Sequence, residues 1–500
     1  MKKDSTNNHQ TTAPTGWRHT KIIATVGPAI HAKENLKKII QAGADVVRLN
    51  MSHSTHEEHA QVIRDVVSLS KTLNKYVGIL VDLQGPKLRI GSLVGREALT
   101  LNKGDEVIVT HRPLMGTKRC FTISHLNDVE GRLLVGQRLL LKDGMVEMII
   151  RNARQGEYVC EIMSNGTIGE HAGVNIPGVP LRLSSLTDKD REDLWFALKH
   201  PVSYIALSFV RKAKDVEDLR ALIASKGQSV PIIAKIEKPE ALKNLDEILA
   251  VADGVMIARG DLGVELPPQE VPIAQKMIIR KANDAGKVVI TATQMLESMI
   301  DHPRPTRAEA SDVANAIFDG TDAIMLSEET AMGRYPNEAV RMMVDIARRA
   351  ESSEYGRREG SQVRIQVGER YSSAVAHAAC DAAVELGAEA IMVFTSSGAT
   401  ARLVSKRKPA MPIIALAHSE ETAKRLSLMW GVKSWVCPPS KTTDEMIRHG
   451  ENIILERQWL SQGALIVVMA GEITSLRGAT NMMKIHRLGA DLIARPAKPS

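Results

Sequence analysis

The chain has 500 residues, of which 44% are hydrophobic and 25% charged, so it is long enough for about three globular domains. No apolar stretch reaches the roughly 18 residues of a membrane-spanning helix, and the polar N-terminus lacks the apolar segment of a secretion signal. The net charge of +7 is interleaved with acidic residues, which favours anionic small molecules over nucleic acid as partners. Four widely spaced cysteines, with no Cys-x-x-Cys pair, predict free thiols in a reducing cytoplasm.

Residues 1–19 are polar, and we expect them to form a flexible tail. Beyond them, short β-branched runs alternate with amphipathic helical patterns, which indicates a parallel sheet. The predicted strands are KIIATV (21–26), ADVVRLN (44–50), VGILVD (77–82), SYIALSF (203–209), PIIAKIE (231–237), GVMIAR (254–259), KVVITAT (287–293) and DAIMLS (322–327). Eight such strands close a (β/α)8 barrel, here over residues 20–86 and 187–350. Thr187 has the position of a helix N-cap, with Asp190 three residues further on.

Two further regions depart from the barrel pattern. Residues 87–186 combine turn signals with alternating apolar segments, which predicts an inserted β-barrel lid domain. Residues 356–500 resume strand–helix alternation and predict a separate C-terminal α/β domain. The predicted fold class is therefore α/β, with a central barrel, an inserted lid and a C-terminal domain.

The active site of a β/α barrel lies at the carboxyl ends of its strands. Nearly every predicted strand here ends on charged or hydroxyl residues. In chain order these ends carry Thr25 and Pro28; Arg48, Asn50, Ser52 and His53; Asp82, Lys87 and Arg89; Ser208; Lys235 and Glu237; Arg259, Gly260 and Asp261; Thr293 and Gln294; and Ser327 and Glu329. Taken singly, an Asp is often a helix cap, a Lys-x-Glu pair a solvated strand edge, and Arg-Gly-Asp an adhesion motif. Eight strand ends together are hard to explain as independent caps.

The residue types at these ends suit phosphoryl chemistry. Glu237 and Asp261 follow adjacent strands, and two carboxylates completed by water and substrate oxygens are typical of a magnesium site. Lys235 precedes Glu237 by two positions, so both side chains point to the same face of the strand. Together with arginines at other strand ends, a metal and a buried lysine would form a phosphoryl clamp.

Several motifs resemble those of pyruvate kinases. They are VRLNMSH (47–53), DLQGPKLRIG (82–91), AKIEKPEALKNLDEIL (234–249), MIARGDLGVE (256–265) and the stretch from TATQ to SEETA (291–331). The similarity runs from about Lys21 to His486. It implies a barrel with a lid and a regulatory C-terminal domain, normally in a homotetramer. It also implies magnesium-dependent (or manganese-dependent) phosphoryl transfer from phosphoenolpyruvate to ADP, giving pyruvate and ATP.

The resemblance also implies a role for each matching residue. Glu237 and Asp261 would bind the divalent ion, and Lys235 would stabilise the phosphoryl group in transfer. Phosphoenolpyruvate would be held by Arg48, Ser208, Lys235, Gly260, Asp261 and Thr293, with Thr293 also in the proton relay to the enolate. The nucleotide would contact Pro28, Asn50, His53 and Arg89. The family's potassium ligands match Asn50, Ser52 and Asp82.

Four positions depart from the family pattern. Leu83 and Lys87 stand where many members have Thr and Glu, so the Lys87 ammonium could take the place of potassium. We therefore expect an enzyme that does not require potassium; the alternative is a solvated Lys87 at the hinge of the lid. Ala172 stands where a nucleotide-contacting lysine is common, which puts that contact in doubt. Glu328 replaces a small residue, with an effect that the sequence does not predict.

The C-terminal domain contains a second candidate site. Ser396, Ser397, Gly398 and Thr400 follow a predicted strand and open a helix, a pattern that suits phosphate but is also common in helix caps. With the resemblance, it implies an effector site for a phosphorylated small molecule. Two other functions remain open from the residues alone, a metal-dependent barrel aldolase acting on pyruvate and a non-catalytic nucleotide or phosphate sensor.

Overall fold

A computed structural model describes residues 17–129, 133–142, 144–154, 156–179, 184–356, 370–471 and 480–489 of the chain. Within these ranges, none of the helices combines the length and apolar character needed to cross a membrane.

The first segment of the barrel alternates strands and helices as predicted. Its elements are β1 (Lys21–Thr25), α1 (Lys33–Ala42), β2 (Val46–Asn50), α2 (His56–Thr72) and β3 (Gly78–Asp82). The helix α2 begins with a full capping box, because the Thr55 side chain accepts from the backbone of Glu58 while the Glu58 side chain accepts from that of Thr55.

Short strands follow in the region predicted to be a lid. They are β4 (Leu88–Arg89), β5 (Leu99–Leu101), β6 (Glu106–Thr110), β7 (Cys120–Thr122), β8 (Arg138–Leu141), β9 (Val146–Arg154), β10 (Glu157–Ile162), β11 (Gly166–Ile168) and β12 (Gly173–Asn175). Seven of them form a sheet in the order β4-β12-β8-β9-β10-β6-β7, and β11 pairs with β5. Their buried Val, Ile and Leu side chains form a core of their own. We call this region the inserted β domain.

The chain then returns to the barrel. Its elements are α3 (Asp188–Ala197), β13 (Tyr204–Leu207), α4 (Ala213–Ala224), β14 (Ile232–Ile236), α5 (Pro239–Lys243), α6 (Leu245–Val251), β15 (Gly254–Ala258), α7 (Arg259–Glu265), α8 (Val271–Asp284), β16 (Val288–Ala292), α9 (Arg307–Asp319), β17 (Ala323–Leu326), α10 (Glu328–Ala331) and α11 (Pro336–Ser352). A closed barrel results, in the order β1-β17-β16-β15-β14-β13-β3-β2. All eight predicted strands are confirmed. Except for Asn50 they are buried throughout, which explains their continuous apolar runs.

The C-terminal domain is a five-stranded sheet with helices. Its elements are α12 (Arg370–Glu385), β18 (Ala390–Thr395), α13 (Ala399–Lys406), β19 (Ile413–Ala417), α14 (Glu420–Leu426), β20 (Val432–Val436), α15 (Thr443–Glu456), β21 (Leu465–Ala470) and β22 (Met482–Arg487). The sheet order is β20-β19-β18-β21-β22, and the antiparallel edge strand β22 was not predicted.

The chain divides into two compact units that differ from the predicted domains. The first unit is Met1–Val81, Lys199–Ile205 and Ile279–Ser500, and the second is Asp82–Leu198 and Ala206–Ile278. The candidate site residues are therefore described below unit by unit.

The predicted tail ends earlier than expected. Residues 1–16 of the tail lie outside the described residues, but Arg18 and His19 are packed against the protein. The backbone N–H of His19 donates to Glu351 Oε2 at 2.9 Å, and its ring stacks on Trp430 with centroids 4.4 Å apart. The prediction of a flexible tail is therefore wrong for these residues, because they continue directly into the buried strand β1.

Candidate active site

A buried lysine in the second unit lies among two carboxylates and a hydroxyl. Lys235 Nζ is 2.9 Å from Glu237 Oε1 and 3.2 Å from Asp82 Oδ1, and it donates to Ser208 Oγ at 2.8 Å. The side chains of both acids are 1% exposed. The predicted convergence of Lys235 and Glu237 on one face of the strand is confirmed. We call these four residues the lysine–carboxylate cluster.

The backbone after β13 completes the surroundings of Glu237. Phe209 has a φ of +54°, a left-handed conformation that is uncommon for an aromatic residue. In this conformation its backbone N–H donates to Glu237 Oε2 at 2.8 Å. Ser208 Oγ donates to the Leu83 carbonyl at 2.6 Å, so its lone pairs face Lys235. Sequence reasoning missed the contribution of Phe209, since backbone strain leaves no signal in residue type.

The electrostatics of Glu237 favour a positively charged ligand. Burial, together with the negative charge of Asp261, raises the pKa of Glu237 above its usual value, while Lys235 opposes the shift. Its Oε1 atom is buried and, apart from the ion pair with Lys235, accepts no hydrogen bond. A buried carboxylate oxygen that accepts no hydrogen bond is available to a hard cation.

Asp261 lies in the first turn of α7, directly after β15. It is therefore not the N-cap that the simplest interpretation predicts; the cap position is Ala258. Arg259 is 8% exposed and donates to Gln275 Oε1 at 3.3 Å. An adhesion motif needs an exposed Arg-Gly-Asp loop, so the helical, buried Arg259 excludes that interpretation.

Lys87 extends from the start of the inserted β domain towards Asp261. Its Nζ lies 3.4 Å from Asp261 Oδ1. The lysine stem passes over Gly173, where an added Cβ would lie only 2.6 Å from Lys87 Cε. Lys87 is thus held in place, which argues against the alternative of a freely solvated hinge lysine. Among these residues the three carboxylates of Asp82, Glu237 and Asp261 face two ammonium groups, Lys87 and Lys235, which leaves one negative charge in excess.

Two other predicted residues of the second unit lie in the inserted β domain. Arg89 Nη1 donates to the carbonyl of His171 at 3.0 Å, and its backbone N–H donates to Ser124 Oγ at 2.9 Å. The partly buried Ala172 packs against the core of the domain. The methyl side chain of Ala172 offers no polar group for a nucleotide phosphate.

The first unit carries the predicted residues of β1 and β2. Arg48 is 9% exposed and donates from Nη1 to Thr25 Oγ1 at 3.1 Å. Asn50 Oδ1 accepts from the backbone N–H of Ser52 at 3.1 Å, and the His53 backbone N–H donates to the Asn50 carbonyl. Hydrogen bonds of this kind fix the turn that presents Ser52 and His53. A carbonyl lone pair of the exposed Pro28 contacts His31 Nδ1 at 2.8 Å.

The backbone directly after β16 is strained, and hydrogen bonds connect it to the residues directly after β17. Thr293 and Gln294 have φ values of +66° and +52°, a conformation that persists only where the surroundings enforce it. Thr293 Oγ1 donates to the Ala292 carbonyl at 2.6 Å. Glu329, 2% exposed, accepts from the backbone N–H groups of Leu296 and Ser327. Glu329 is thus an anchor of both loops, while its neighbour Glu328 is exposed.

The candidate effector loop in the C-terminal domain has the geometry of a helix start. Gly398 has a φ of +91°, which favours glycine, and its N–H donates to Thr395 Oγ1 at 2.8 Å. Ser396 and Ser397 are exposed, whereas the buried Thr400 shares a 2.5 Å hydrogen bond with Thr480. The two serines are therefore the hydroxyls that an effector could reach, and the effector site stays a prediction.

Fold and site together define an enzyme class, a (β/α)8-barrel enzyme with a charged, metal-compatible cluster at its strand ends. The family model for the pyruvate kinase barrel domain matches residues 17–340, and that for the pyruvate kinase alpha/beta domain matches residues 373–486. The chain belongs to the pyruvate kinase family.

Individual relatives agree over nearly the whole length. A pyruvate kinase of Staphylococcus epidermidis is 44% identical over 480 residues, covering 95% of this chain and 81% of the relative. Pyruvate kinase 2 of Synechocystis is 45% identical over 478 residues, covering 95% and 80%. The crystal structure of a pyruvate kinase from Cryptosporidium parvum is similar with a TM-score of 0.84 at 35% identity, covering 94% of this chain and 96% of that one.

Proposed function

We propose that this chain transfers a phosphoryl group from phosphoenolpyruvate to ADP in a magnesium-dependent reaction that gives pyruvate and ATP, the last step of glycolysis. Membership of the family supports this reaction. The observation that carries it is the lysine–carboxylate cluster, in which a buried ammonium lies beside a buried glutamate with an available oxygen. The expected cytoplasmic location follows from the reaction and the free thiols.

Glu237 and Asp261 would hold the divalent ion, magnesium or manganese. Their fit rests on the buried Glu237 Oε1 and on the nearby negative charge of Asp261. In the described ranges, no group of three or more His, Cys, Asp or Glu side chains could hold a metal, so water and substrate oxygens would complete the shell, as is usual for magnesium. When bound, the ion neutralises and polarises phosphoryl oxygens.

Lys235 would neutralise the phosphoryl group as it moves between donor and acceptor oxygens. Asp82, Glu237 and Ser208 hold the ammonium in a fixed place, so no reorganisation is needed during the reaction. From the motifs, we assign phosphoenolpyruvate to Arg48, Ser208, Gly260, Asp261 and Thr293, with Thr293 in the proton relay. We assign the nucleotide to Pro28, Asn50, His53 and Arg89.

We further propose that the enzyme needs no potassium. The family's potassium ligands match Asn50, Ser52 and Asp82 in this chain. Here the tethered ammonium of Lys87 would supply the positive charge that potassium supplies in other members. Its contact with Asp261 and its packing on Gly173 support a fixed position.

We also propose a homotetramer whose activity is shifted by a phosphorylated effector at Ser396, Ser397, Gly398 and Thr400. Support comes from the exposed serines and from the N–H groups at the start of α13. Such an effector acts only if it binds the two states of the enzyme with different affinity.

A lactate-dehydrogenase-coupled assay tests the reaction. We expect pyruvate to form only when ADP, phosphoenolpyruvate and a divalent ion are all present. An aldolase would instead release pyruvate by cleaving a carbon–carbon bond of a hydroxylated 2-oxo acid, without ADP or phosphoenolpyruvate, and a sensor would bind nucleotide without turnover. Parallel assays with sugar phosphates and AMP test the effector site.

A further inference from the structure

A lysine of the inserted β domain that belongs to none of the motifs lies beside the residues assigned to the nucleotide. Lys142 directly follows β8 and is exposed. Its backbone N–H donates to the Gly173 carbonyl at 2.9 Å, and its own carbonyl accepts from the backbone N–H of Met145 at 3.2 Å. The backbone of Lys142 is therefore fixed by hydrogen bonds at both its N–H and its carbonyl, while the residue remains accessible to a ligand.

The pairing of β4, β12 and β8 places Lys142 on the same side of the sheet as Arg89. Arg89 pairs with Gly173, and the hydrogen bond from Lys142 continues the ladder on the other side of that glycine. The next paired residues along these strands lie in the core of the domain and are 3% exposed or less; they are Leu88, Val174 and Leu141. Because successive residues of a strand point to opposite faces, Arg89, Gly173 and Lys142 form a row across the outer face.

Gly173 leaves open space at the centre of this row. Neighbouring strands are about 4.8 Å apart, so the backbones of Arg89 and Lys142 are separated by about 10 Å, a distance that two long side chains can bridge around one phosphate group. The Lys87 side chain lies over the same glycine, where an added Cβ would be 2.6 Å from Lys87 Cε and 3.3 Å from its Nζ. Three cations therefore surround a single residue that has no side chain.

Two of these three cations keep a positive charge that is available to an anion. Lys87 Nζ lies 3.4 Å from Asp261 Oδ1, whereas Arg89 Nη1 donates to the uncharged carbonyl of His171. Among the residues that the structure describes, no carboxylate forms an ion pair with Arg89 or Lys142. The outer face of the inserted β domain is thus positively charged next to Lys87, which connects it to the carboxylate of Asp261.

We propose that Lys142, together with Arg89, binds the diphosphate of ADP and supplies the cationic contact that other family members make from the position of Ala172. This inference rests on the proposed function, which assigns the nucleotide to Arg89. Ala172 packs against the core of the domain, whereas Lys142 lies on the outer face. Lys87 links that face to Asp261, beside which an ADP molecule that accepts the phosphoryl group would present its β-phosphate. A planar guanidinium opposite a flexible ammonium suits phosphate oxygens.

Isothermal titration calorimetry of the full-length protein with ADP and Mg²⁺ tests this contact without turnover. The charge-removing variant is Lys142→Asn, because Lys142 has a φ of +50° and asparagine tolerates this left-handed conformation. We expect the affinity for ADP to fall about tenfold or more, since a hydrogen bond between two charged groups is lost. Lys142→Arg keeps the charge and should bind ADP about as tightly as the parent.

The matched control is Lys118→Asn, which removes the same charge at an exposed lysine just before β7, the strand at the opposite edge of the sheet from β4. It should leave the affinity for ADP unchanged. In the coupled assay, Lys142→Asn should raise the KM for ADP by about the factor found in calorimetry and leave the KM for phosphoenolpyruvate near that of the parent. Thermal unfolding of each variant establishes that it is folded.

Unchanged affinity for ADP in Lys142→Asn would overturn the proposal. An equal loss of affinity in Lys142→Arg would also overturn it, because the turn rather than the charge would then be responsible. Failure of the proposed reaction gives a different result, in which the parent binds ADP but forms no pyruvate, and the calorimetric comparison of the variants still decides the role of Lys142. A parent that does not bind ADP at all would refute both the proposed function and this inference.

Discussion

At the scale of single residues, Lys235 is the group on which the proposed chemistry depends most. A buried ammonium is stable only when its charge is compensated, and here Asp82 and Glu237 compensate it. The same two carboxylates fix its position, so the residue is oriented before any substrate arrives.

Lys235→Met tests this role. We expect turnover to fall by about 10²–10³-fold or more, because a preorganised charge at the transferring group is lost. Folding should persist, since methionine fills the space of the lysine stem and the paired acids can share a proton. The coupled assay and thermal unfolding measure both effects. Lys243→Met, at an exposed lysine of α5, is the control, and turnover within tenfold of the parent would contradict the assignment.

Lys87 gives a second prediction at this scale. The parent enzyme should be fully active in buffer free of sodium and potassium, and Lys87→Glu should make it dependent on added potassium, because the tethered cation is replaced by an anion. Kinetics with and without potassium chloride measure the change. A large activation of the parent by potassium chloride would refute the proposal.

The sequence predicts some of these residues better than others. Lys235 and Glu237 could be placed together because alternate residues of one strand share a face. The contact of Lys235 with Asp82 and Ser208, and the backbone N–H that Phe209 donates to Glu237, depend on three strands meeting. Spacing within one strand carries no information about such contacts.

At the scale of elements, α7 is the short helix that carries Asp261. Its last residue, Glu265, has a 2% exposed side chain and lies 2.5 Å from Lys238 Nζ. Lys238 directly follows Glu237, and its ammonium also lies 5.8 Å from the Phe209 ring. This ion pair therefore ties α7, which carries Asp261, to the chain segment of Glu237, the two carboxylates proposed to hold the divalent ion.

Glu265→Gln should loosen that connection. We expect Mn²⁺ affinity, measured by electron paramagnetic resonance on the substrate-free protein, to fall about tenfold, in the range found when outer-shell partners of a metal site are changed. Lys238→Met should have a similar effect, and the double variant should add little to either single change. Lys238→Arg should restore binding. Unchanged Mn²⁺ affinity in both single variants would show that α7 is held by other contacts.

The elements themselves were largely predictable. Buried parallel strands read as continuous apolar runs, and Thr187 with Asp190 forms the predicted capping box at the start of α3. The edge strand β22 was missed because its sequence, MMKIHR, is mostly exposed and mixes charged with apolar residues. Its pairing with β21 is antiparallel and is set by the neighbouring strand rather than by its own composition.

At the scale of the whole molecule, a buried ion cluster joins α13 of the C-terminal domain to the barrel. Lys406 Nζ contacts Asp322 and donates to Asn283 Oδ1 at 2.9 Å, while Lys408 Nζ lies 3.2 Å from Asp322 Oδ1. Burial alone would raise the pKa of Asp322, but Lys406 and Lys408 hold it below its usual value. Burial lowers the pKa of Lys406 to about 8.

Both shifts link stability to pH. The contribution of Asp322 is fully present above about pH 4 and is lost as the pH falls through its lowered folded-state pKa. Lys406 binds its proton more weakly in the folded than in the unfolded chain. Stability should therefore rise with pH between about 8 and the ordinary lysine value near 10.4.

Lys406→Met should remove the rise in stability at alkaline pH. It should also weaken the contribution that ionised Asp322 makes to stability. At neutral pH we expect a loss of about 3 kcal/mol, because Asp322 stays buried with only Lys408 as a cationic partner. Urea unfolding at a series of pH values measures it, with Lys441→Met at an exposed lysine as the control. A pH profile parallel to that of the parent would contradict the account.

A hydrogen bond joins the two ends of the inserted β domain. The Gly85 N–H, just before the domain, donates to Asp190 Oδ1, just after it, at 3.0 Å. This hydrogen bond holds the two ends of the inserted β domain close together. The chain segments before and after the domain are therefore joined much as they would be by a tight turn. The number of residues between Gly85 and Asp190 can then change without changing the distance between the two chain ends that enter and leave the inserted β domain.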